Sequence, residues 1–346
     1  MPIFLNRKRT RTVFCVIFAL FTIFAILLLS SFSLEKGTKK QGSDSPVSCL
    51  VCGIDDAGAN TDVMLLCTLD SKGNQLGVLQ IPRDTLVLRE NGKPTKINSL
   101  YATFLAKTSD RSQAAYRLRD EISSLFAVRV DHVFFLNMDT VAALVDDMGG
   151  LTLEVPRNIT SRTGSDSISI PQGTTRLDGK GAVDFLRYRQ GYIQGDIDRL
   201  DAQKLFFVAL FREMRNNPPT FGTLLKAGRT LLSSDIFTDL NLLSAGAMAS
   251  DIHGLLGEES LHMATLPGEA LYMNGCSYYV ACRAGTDALL SHAFSPFYGG
   301  EEQLDREGRL CYSKDLAIKN AYYNPSRAFK LYTPKDAAKL VKSLAP

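Results

Sequence analysis

Residues 47–81 read VSCLVCGIDDAGANTDVMLLCTLDSKGNQLGVLQI, with three apolar runs separated by two short polar segments. Runs that are apolar at nearly every position are typical of strands covered on both faces, whereas half-exposed strands alternate apolar and polar residues. Similar runs recur downstream. The predicted strands are Val47–Ile54, 63–69, 76–81, 133–137 and Leu151–Val155. The sequence therefore indicates a central sheet that is buried on both sides.

Segments with helical periodicity alternate with these strands and follow them. The predicted helices are 112–126, 139–148, 198–215, 220–233 and 240–256. This alternation predicts an α/β fold, and specifically an α/β/α sandwich with a central mixed, largely parallel sheet. We assign the domain to residues 47–295. Residues 296–346 are irregular until a short helical segment near their end, and we treat them as a C-terminal extension.

One N-terminal transmembrane helix is predicted to precede this domain. Residues 13–32 contain no charged side chain, and about 20 apolar residues are what a helix needs to cross the hydrocarbon core. A cleaved signal peptide is the alternative, but its apolar region is usually shorter and ends in small residues. The basic tail at 1–12 is expected to stay in the cytoplasm. This predicts a single-pass protein of the cell membrane, with a linker at 33–46 and an extracytoplasmic domain.

The charge is distributed unevenly along the chain. The whole sequence has 39 basic and 36 acidic residues, but residues 1–40 carry seven Lys or Arg and only one acid. The remaining 306 residues therefore have a net charge of −3. A body of that sign argues against nucleic acid as a partner, because nucleic-acid binding domains are usually strongly basic. Any anionic ligand must be held by a local cluster of cations.

Two carboxylates come at the ends of neighbouring predicted strands. Asp55 directly follows the first strand, and Asp62 opens the second. Strands joined by a short loop place these positions at the same edge of the sheet. Carboxylates and substrate phosphates are the ligands that Mg²⁺ prefers, so the pair is a candidate metal site. The alternative is that both are ordinary turn residues, since Asp is frequent in turns.

Several candidate anion-binding residues also lie at element ends. Arg83 and Asp84 follow the third apolar run, and Lys96 lies in the polar loop after them. Arg187 and Arg189 are two residues apart, so their side chains share a side if the backbone there is extended. Each residue alone could simply be solvated, but arginine is well suited to binding phosphate oxygens through two hydrogen bonds.

The helix predicted at 198–215 begins with a second polar pair. Arg199 and Gln203 are four residues apart and therefore share a helix face. Residues 205–211 are all apolar, so this helix is expected to be buried on nearly every side. A cation near a helix N-terminus opposes the helix dipole, so Arg199 is expected to meet a bound anion. A salt bridge to Asp196 or Asp198 is the alternative.

The cysteines do not predict a metal site. Cys49 and Cys52 are three residues apart in a predicted strand, so they face opposite sides of the sheet and cannot chelate one ion. Cys276, Cys282 and Cys311 are close enough in sequence for one structural disulfide. Which pair forms is left open.

Taken in order, the motifs of this chain are similar to those of one protein family. They are Gly53-Ile54-Asp55, Thr61-Asp62-Val63-Met64, Ile81-Pro82-Arg83-Asp84-Thr85, Lys96-Ile97-Asn98, Asp147-Met148-Gly149-Gly150-Leu151, Leu177-Asp178-Gly179, Arg187-Tyr188-Arg189, Gly195-Asp196, Arg199 and Gln203. With its basic tail and membrane anchor, the chain resembles the LytR-CpsA-Psr family of cell-wall glycopolymer ligases. The resemblance covers about residues 47–290, and its specificity lies in the succession of the motifs.

The resemblance implies a function on the outer face of the membrane. Members of the family transfer a glycopolymer, such as teichoic acid or capsule, from an undecaprenyl pyrophosphate carrier to peptidoglycan. Their fold is an α/β/α sandwich with an apolar slot for the polyprenyl chain. By position, Asp55 and Asp62 would bind Mg²⁺. The pyrophosphate would be held by Arg83, Lys96, Arg187, Arg189, Arg199 and Gln203. The catalytic residues would be Arg83, Asp84, Arg187 and Arg189.

Two positions depart from the family pattern. Asn60 stands where arginine is usual, and Ala202 stands where an arginine usually precedes the glutamine. These departures motivate one alternative to a glycopolymer transferase, a catalytically weakened protein that binds lipid-linked intermediates and regulates envelope assembly. A second alternative, an extracytoplasmic polyprenyl pyrophosphatase, differs from the transferase only in using water as the acceptor.

Overall fold

The central sheet has six strands in the order β11-β6-β1-β2-β3-β12 in the computed structural model. The structure describes residues 46–346 apart from 56–59, 90, 164–165, 190, 194, 217–236, 240–254, 256, 274 and 311–329. The strands of the sheet are β1 (Val47–Ile54), β2 (Thr61–Asp70), β3 (Gln75–Gln80), β6 (His132–Leu136), β11 (Phe237–Thr238) and β12 (Leu261–Thr265). Paired short strands outside it are β4 (Leu86–Leu88), β5 (Pro94–Lys96), β7 (Leu151–Val155), β8 (Ile159–Thr163), β9 (Asp166–Ile170), β10 (Gly173–Leu177), β13 (Gly268–Met273) and β14 (Cys276–Ala281).

Seven α-helices lie in the described residues. They are α1 (Ser99–Thr108), α2 (Arg111–Phe126), α3 (Met138–Asp147), α4 (Gly179–Arg187), α5 (Asp196–Asn216), α6 (Arg283–Ala293) and α7 (Ala337–Leu344). Side chains of α3, α4, α5 and α7 pack in one apolar cluster with one face of the sheet. Side chains of α1, α2 and α6 pack in a second cluster with the other face. Both faces of the sheet are therefore covered by helices, as the apolar strands predict.

Alternation along β1 separates the two cores. Val51 belongs to the same cluster as Phe206 of α5, whereas its neighbour Leu50 belongs to the cluster that contains Leu118 of α2. Successive residues of a strand point to opposite faces, so a run that is apolar at every position supplies both cores.

The prediction of a largely parallel sheet was wrong. The sheet is mixed, and β1 pairs antiparallel with β2, as do β2 with β3 and β6 with β11. Only β1 with β6 and β3 with β12 are parallel among these pairs. The reason is the length of the connections, because a parallel crossover needs a dozen or more residues. The chain between β1 and β2, and between β2 and β3, is shorter than that.

The predicted elements differ in how well their bounds were located. Strands β1 and β7 have the predicted bounds, and α2 and α3 differ from prediction by one residue at their ends. Helices α1, α4 and α6, and the short strands outside the main sheet other than β7, were not predicted. The helix predicted at 220–233, the anchor at 13–32 and nearly all of 240–256 lie outside the described residues. Within the described ranges, no helix has both the length and the apolar character needed to span a bilayer.

The two cysteines of β1 have a structural role, because they pack in the apolar cores on either side of the sheet. Cys49 lies in one apolar core and Cys52 in the other, which confirms that they face opposite sides. Burial raises the pKa of both thiols well above the usual value, so neither is suited to act as a thiolate ligand. No disulfide joins Cys276 to Cys282, because Cys276 is an exposed free thiol.

The final described segment, 330–346, packs against the domain. The backbone N–H groups of Tyr332 and Met263 each donate to the other's carbonyl oxygen at 2.7 Å, which places Tyr332 beside β12. Helix α7 contacts α5, and Leu340 joins the same apolar cluster as Phe206. The end of the chain therefore covers one face of α5.

A close contact between α3 and α4 explains the Leu-Asp-Gly motif. The Asp178 carboxylate caps α4 by accepting the Gly181 N–H at 2.7 Å, and the Gly179 N–H donates to Asp146 at 2.7 Å. A Cβ atom at Gly179 would lie 2.0 Å from the Ala142 carbonyl oxygen. Only glycine lets the two helices approach this closely, and α4 leads directly to the Arg-Tyr-Arg segment.

We therefore expect Gly179→Ala to lower the free energy of unfolding by about 1–3 kcal/mol, since a backbone oxygen must move to admit the methyl group. Urea unfolding followed by circular dichroism measures this. Lys180→Ala is the matched control, because Lys180 is exposed and its pair with Asp184 contributes about 0.5 kcal/mol or less. Equal losses for the two variants would contradict the close-contact explanation.

Candidate functional site

Asp55 and Asp62 lie at the ends of two paired strands. Ile54 pairs with Thr61, and the Asp55 N–H donates to the Asn60 carbonyl oxygen at 2.9 Å. The Asp55 carboxylate accepts the Asn60 side-chain amide at 2.8 Å and its backbone N–H at 3.2 Å. The turn therefore orients Asp55 at the same edge of the sheet as Asp62.

Arg83 connects this edge to the segment after β3. Its Nη1 atom lies 2.8 Å from the Asp62 carboxylate, and both side chains are about one-fifth exposed. The Asn98 N–H donates to the Arg83 carbonyl oxygen, and the Thr61 N–H donates to the Asn98 carbonyl oxygen, each at 3.2 Å. Backbone hydrogen bonds thus hold three sequence segments together beneath the Arg83–Asp62 pair.

Lys96 and Asp84 form a second ion pair in the same place. Their charged atoms are 2.8 Å apart, and Lys96 also lies over the Tyr278 ring at 5.8 Å from its centroid. The Asp84 carbonyl oxygen accepts the Tyr279 N–H at 2.8 Å, which anchors this segment to β14. The candidate site therefore brings two cations, Arg83 and Lys96, to the same edge as the carboxylates of Asp55, Asp62 and Asp84.

Arg199 and Gln203 are buried at the start of α5. They are 8% and 4% exposed, although both are polar. Gln203 lies against Gln80, the last residue of β3, whose side-chain amide nitrogen is 3.4 Å from the Gln203 Oε1 atom. Gln80 precedes Arg83 by three residues, so the α5 pair and the Arg83 segment are joined through the end of one strand.

Arg187 and Arg189 are both exposed at the end of α4. Arg187 is the last residue of α4, and Tyr188 after it has extended backbone angles, φ −64° and ψ 131°, so the backbone between the two arginines is extended. Tyr188 is buried and packs edge-on against Tyr192, with ring centroids 5.4 Å apart. The buried tyrosine holds the backbone while the arginines remain accessible to a ligand.

The carboxylates of the strand edge suit a magnesium ion that is shared with a substrate. The described residues contain no cluster of three or more His, Cys, Asp or Glu side chains able to hold a metal by themselves. Mg²⁺ usually binds one or two carboxylates together with substrate phosphates and water. Asp55 and Asp62 provide that donor set, and the adjacent cations would bind the same phosphates.

The two departures from the family pattern have different surroundings. Asn60 is hydrogen-bonded to Asp55 and so orients a candidate metal ligand. Ala202 is fully buried among apolar side chains of the core that contains Phe206. The methyl group of Ala202 is therefore part of the apolar core.

A chain of polar contacts behind Gln203, mostly between buried side chains, was missed by the sequence analysis. The Lys204 Nζ atom lies 2.8 Å from Thr265 Oγ1, and Thr265 Oγ1 lies 3.1 Å from Gln80 Oε1. Lys204 is 1% exposed, and burial lowers its pKa, although the adjacent Asp201 opposes this by favouring the charged form. The one signal in the sequence was a lysine directly before seven apolar residues.

The family is identified by comparison with known sequences. The sequence profile described as the LytR_cpsA_psr family matches residues 30–293, which is most of the chain. The chain belongs to the LytR-CpsA-Psr family. The match includes every residue of the candidate site, from Asp55 to Gln203.

Named relatives of this LytR-CpsA-Psr protein come from cell-wall biosynthesis. The polyisoprenyl-teichoic acid–peptidoglycan teichoic acid transferase TagU of Bacillus subtilis is 26% identical over 260 residues, which cover 72% of this chain and 79% of TagU. The cell wall biosynthesis protein LcpA of Corynebacterium glutamicum is 24% identical over 290 residues, covering 78% of this chain and 54% of LcpA. The crystal structure of B. subtilis TagV superimposes with a TM-score of 0.59 at 21% identity, covering 76% of this chain and 98% of that one. This superposition confirms the α/β fold with a mixed central sheet.

Proposed function

We propose that this protein is a membrane-anchored, magnesium-dependent phosphotransferase that moves a glycopolymer of teichoic acid or capsule type from undecaprenyl pyrophosphate to peptidoglycan. Support comes from family membership and from relatives named as transferases of this kind. The observation that carries the proposal is the paired arrangement of Arg83 with Asp62 and Lys96 with Asp84 at one sheet edge. A diphosphate bound there would meet cations that are already held in place.

The cations have distinct roles in this proposal. Arg83 and Lys96 bind the diphosphate from the sheet edge, while Arg199 and Gln203 bind it from the start of α5. The exposed pair Arg187 and Arg189 closes over its outer side. Fixed cations and N–H donors stabilise the charge that develops on the transferring phosphate more strongly than water does, since they need no reorganisation.

The proposed reaction is a phosphoryl transfer from the donor diphosphate to a hydroxyl group of peptidoglycan. A hydroxyl oxygen of peptidoglycan attacks the phosphorus atom that bears the glycopolymer and forms a new P–O bond. The bond from that phosphorus to the bridging oxygen breaks, and undecaprenyl phosphate leaves with the electron pair. Asp84 accepts the hydroxyl proton, and Lys96 beside it keeps the carboxylate oriented. The product is a phosphodiester between glycopolymer and peptidoglycan.

Asp55 and Asp62 would hold Mg²⁺ in this scheme. A bound Mg²⁺ supplies positive charge to the phosphate oxygens. Asn60 orients Asp55, and Arg83 shares Asp62, so the same side chains serve the metal and the diphosphate.

The cellular location follows from the substrate and the N-terminal sequence. An undecaprenyl carrier is confined to the bilayer, so an enzyme tethered by residues 13–32 meets it at high local concentration. The domain then acts on the extracytoplasmic side, where peptidoglycan lies.

Transfer by the full-length protein in detergent tests the proposal. With Mg²⁺, a polyprenyl diphosphate-linked glycan and peptidoglycan fragments, we expect a phosphodiester conjugate detectable by mass spectrometry. Asp84→Asn should lower turnover by about 10²–10⁴-fold because it removes the proton acceptor, while donor binding should persist because Lys96 keeps its charge.

Other outcomes would replace this proposal. Release of glycan phosphate and polyprenyl phosphate without any conjugate would identify a polyprenyl pyrophosphatase instead, since water would then have attacked the diphosphate. Tight binding of the donor without turnover would identify a binding protein for lipid-linked intermediates. Lack of donor binding would reject the assignment of this sheet edge as a diphosphate site.

A further inference from the structure

Three buried side chains, Lys204, Gln80 and Gln203, and the half-buried Thr265 form a continuous line of hydrogen bonds behind the candidate site. Lys204 Nζ lies 2.8 Å from Thr265 Oγ1, which lies 3.1 Å from Gln80 Oε1. The Gln80 Nε2 atom lies 3.1 Å from the Leu200 carbonyl oxygen and 3.4 Å from Gln203 Oε1. The line therefore runs from α5 through β12 and β3 and returns to α5 at Gln203.

The direction of donation along this line is determined by two groups, one that can only donate a hydrogen bond and one that can only accept. A lysine ammonium can only donate, so Thr265 Oγ1 accepts from Lys204 and uses its own hydrogen toward Gln80. A backbone carbonyl can only accept, so the Gln80 atom that faces Leu200 is its amide nitrogen, and its oxygen faces Thr265. Gln203 must then present its oxygen to Gln80.

The orientation of Gln203 follows from this direction. A planar amide has its NH₂ group on the side away from its oxygen, so Gln203 directs its two N–H donors away from Gln80. A diphosphate oxygen can only accept hydrogen bonds. The amide turned the other way would present an acceptor to the phosphate and would repel it.

We infer that Gln80, Thr265 and Lys204 are positioning residues that turn the amide nitrogen of Gln203 toward the diphosphate. The inference rests on the proposed function and extends it to three residues that lie outside the motifs of the family. It assigns them a role in donor recognition rather than in packing alone.

The charge on Lys204, at one end of the line, strengthens the hydrogen bonds that Gln203 can donate at the other end. Lys204 is held by Asp201 at 2.5 Å and lies under the Tyr332 ring at 4.5 Å from the centroid, which keeps water away from it. Hydrogen bonds that all point the same way polarise one another, and the effect is larger in a dry interior than in water. A cation at the first position therefore makes the last amide a better donor to an anion. The C-terminal segment that carries Tyr332 thereby contributes to the site from behind.

The test is a binding measurement on the full-length protein in detergent, with geranylgeranyl diphosphate and Mg²⁺ as the probe. Thr265→Val keeps the shape of the side chain and removes the hydroxyl, so we expect the Kd to rise about 3–10-fold through loss of one oriented hydrogen bond. Thr265→Ser keeps the hydroxyl and should bind within about twofold of the wild type, because the direction of donation is preserved.

A double-mutant cycle separates positioning from a purely structural role. Gln203→Leu removes the amide that the line orients, and we expect its Kd to rise about tenfold. Thr265→Val should then add nothing further in the double variant, since its effect acts through Gln203. If the fold-increases in Kd of the two single variants multiply in the double variant, the inference is overturned. If Thr265→Val does not fold, Gln80→Leu breaks the same line from β3 and takes its place in the cycle.

Failure of this inference is distinguishable from failure of the proposed function. If the wild type does not bind the diphosphate, the proposed function fails and the inference fails with it. If the wild type binds and Gln203→Leu weakens binding while Thr265→Val and Thr265→Ser behave alike, only the inference fails.

Discussion

Arg83→Ala is expected to lower the rate of glycopolymer transfer by about 10²–10³-fold, the usual cost of removing one preorganised donor from a transition-state site. The substitution removes a cation from the diphosphate. It also leaves Asp62 without the guanidinium that lies 2.8 Å away, so this carboxylate loses a group that orients it. The measurement is the initial rate of conjugate formation at saturating acceptor, with donor binding determined in parallel.

Two control variants make this result specific. Arg83→Lys keeps the charge and loses the planar fork, so its rate should lie between those of the wild type and Arg83→Ala. Arg119→Ala removes an arginine whose pair with Asp120 is on the surface, and it should leave the rate unchanged. Retention of more than about a third of the activity by Arg83→Ala would contradict a role in the transition state, given the size of the expected loss.

Asp62→Asn is expected to affect magnesium as well as rate. The amide keeps the shape of the side chain but removes the negative charge that a hard cation needs. We expect the half-saturating Mg²⁺ concentration to rise at least about tenfold and the rate at moderate Mg²⁺ to fall about 10²-fold, as for loss of a metal ligand or its close support. A Mg²⁺ titration of the transfer rate measures both quantities.

The shape of that titration separates two roles of Asp62. If Asp62 only orients Arg83, the maximal rate falls while the half-saturating Mg²⁺ concentration stays the same, and the metal assignment is wrong. Asp120→Asn, a carboxylate on the exposed side of α2, is the matched control and should leave the whole curve unchanged.

Local patterns predicted the elements but not all of their pairings. The continuous apolar run of β1 predicted a strand covered on both faces, and the two cores on either side of it are the consequence. The orientation of neighbouring strands was misjudged because alternation with helices suggested crossovers, while the connections around β2 are too short for them. Short pairs such as β13 with β14 are stabilised by partners rather than by their own sequence, which is why they were missed.

The residues of the candidate site also differ in whether the sequence could indicate them. The sequence could indicate Arg83, Lys96 and the two carboxylates as candidates because they lie at or near the ends of predicted strands, which a sheet brings to its edges. Thr265 and Gln80 could not be linked in advance, since they are 185 residues apart and their contact depends on β3 pairing with β12. The burial of Ala202 could not be predicted from the motif alone, because it depends on how α5 packs into the core that contains Phe206.

The central claim is that one diphosphate is bound between the Arg83–Lys96 edge and the start of α5. A crystal structure of the protein with Mg²⁺ and a polyprenyl diphosphate tests this most directly. We predict phosphate oxygens within hydrogen-bonding distance of Arg83 and Lys96 on one side and of Arg199 and Gln203 on the other, with Mg²⁺ on Asp55 and Asp62. A diphosphate bound elsewhere, with Arg83 still paired to Asp62 and Lys96 still paired to Asp84, would contradict the account.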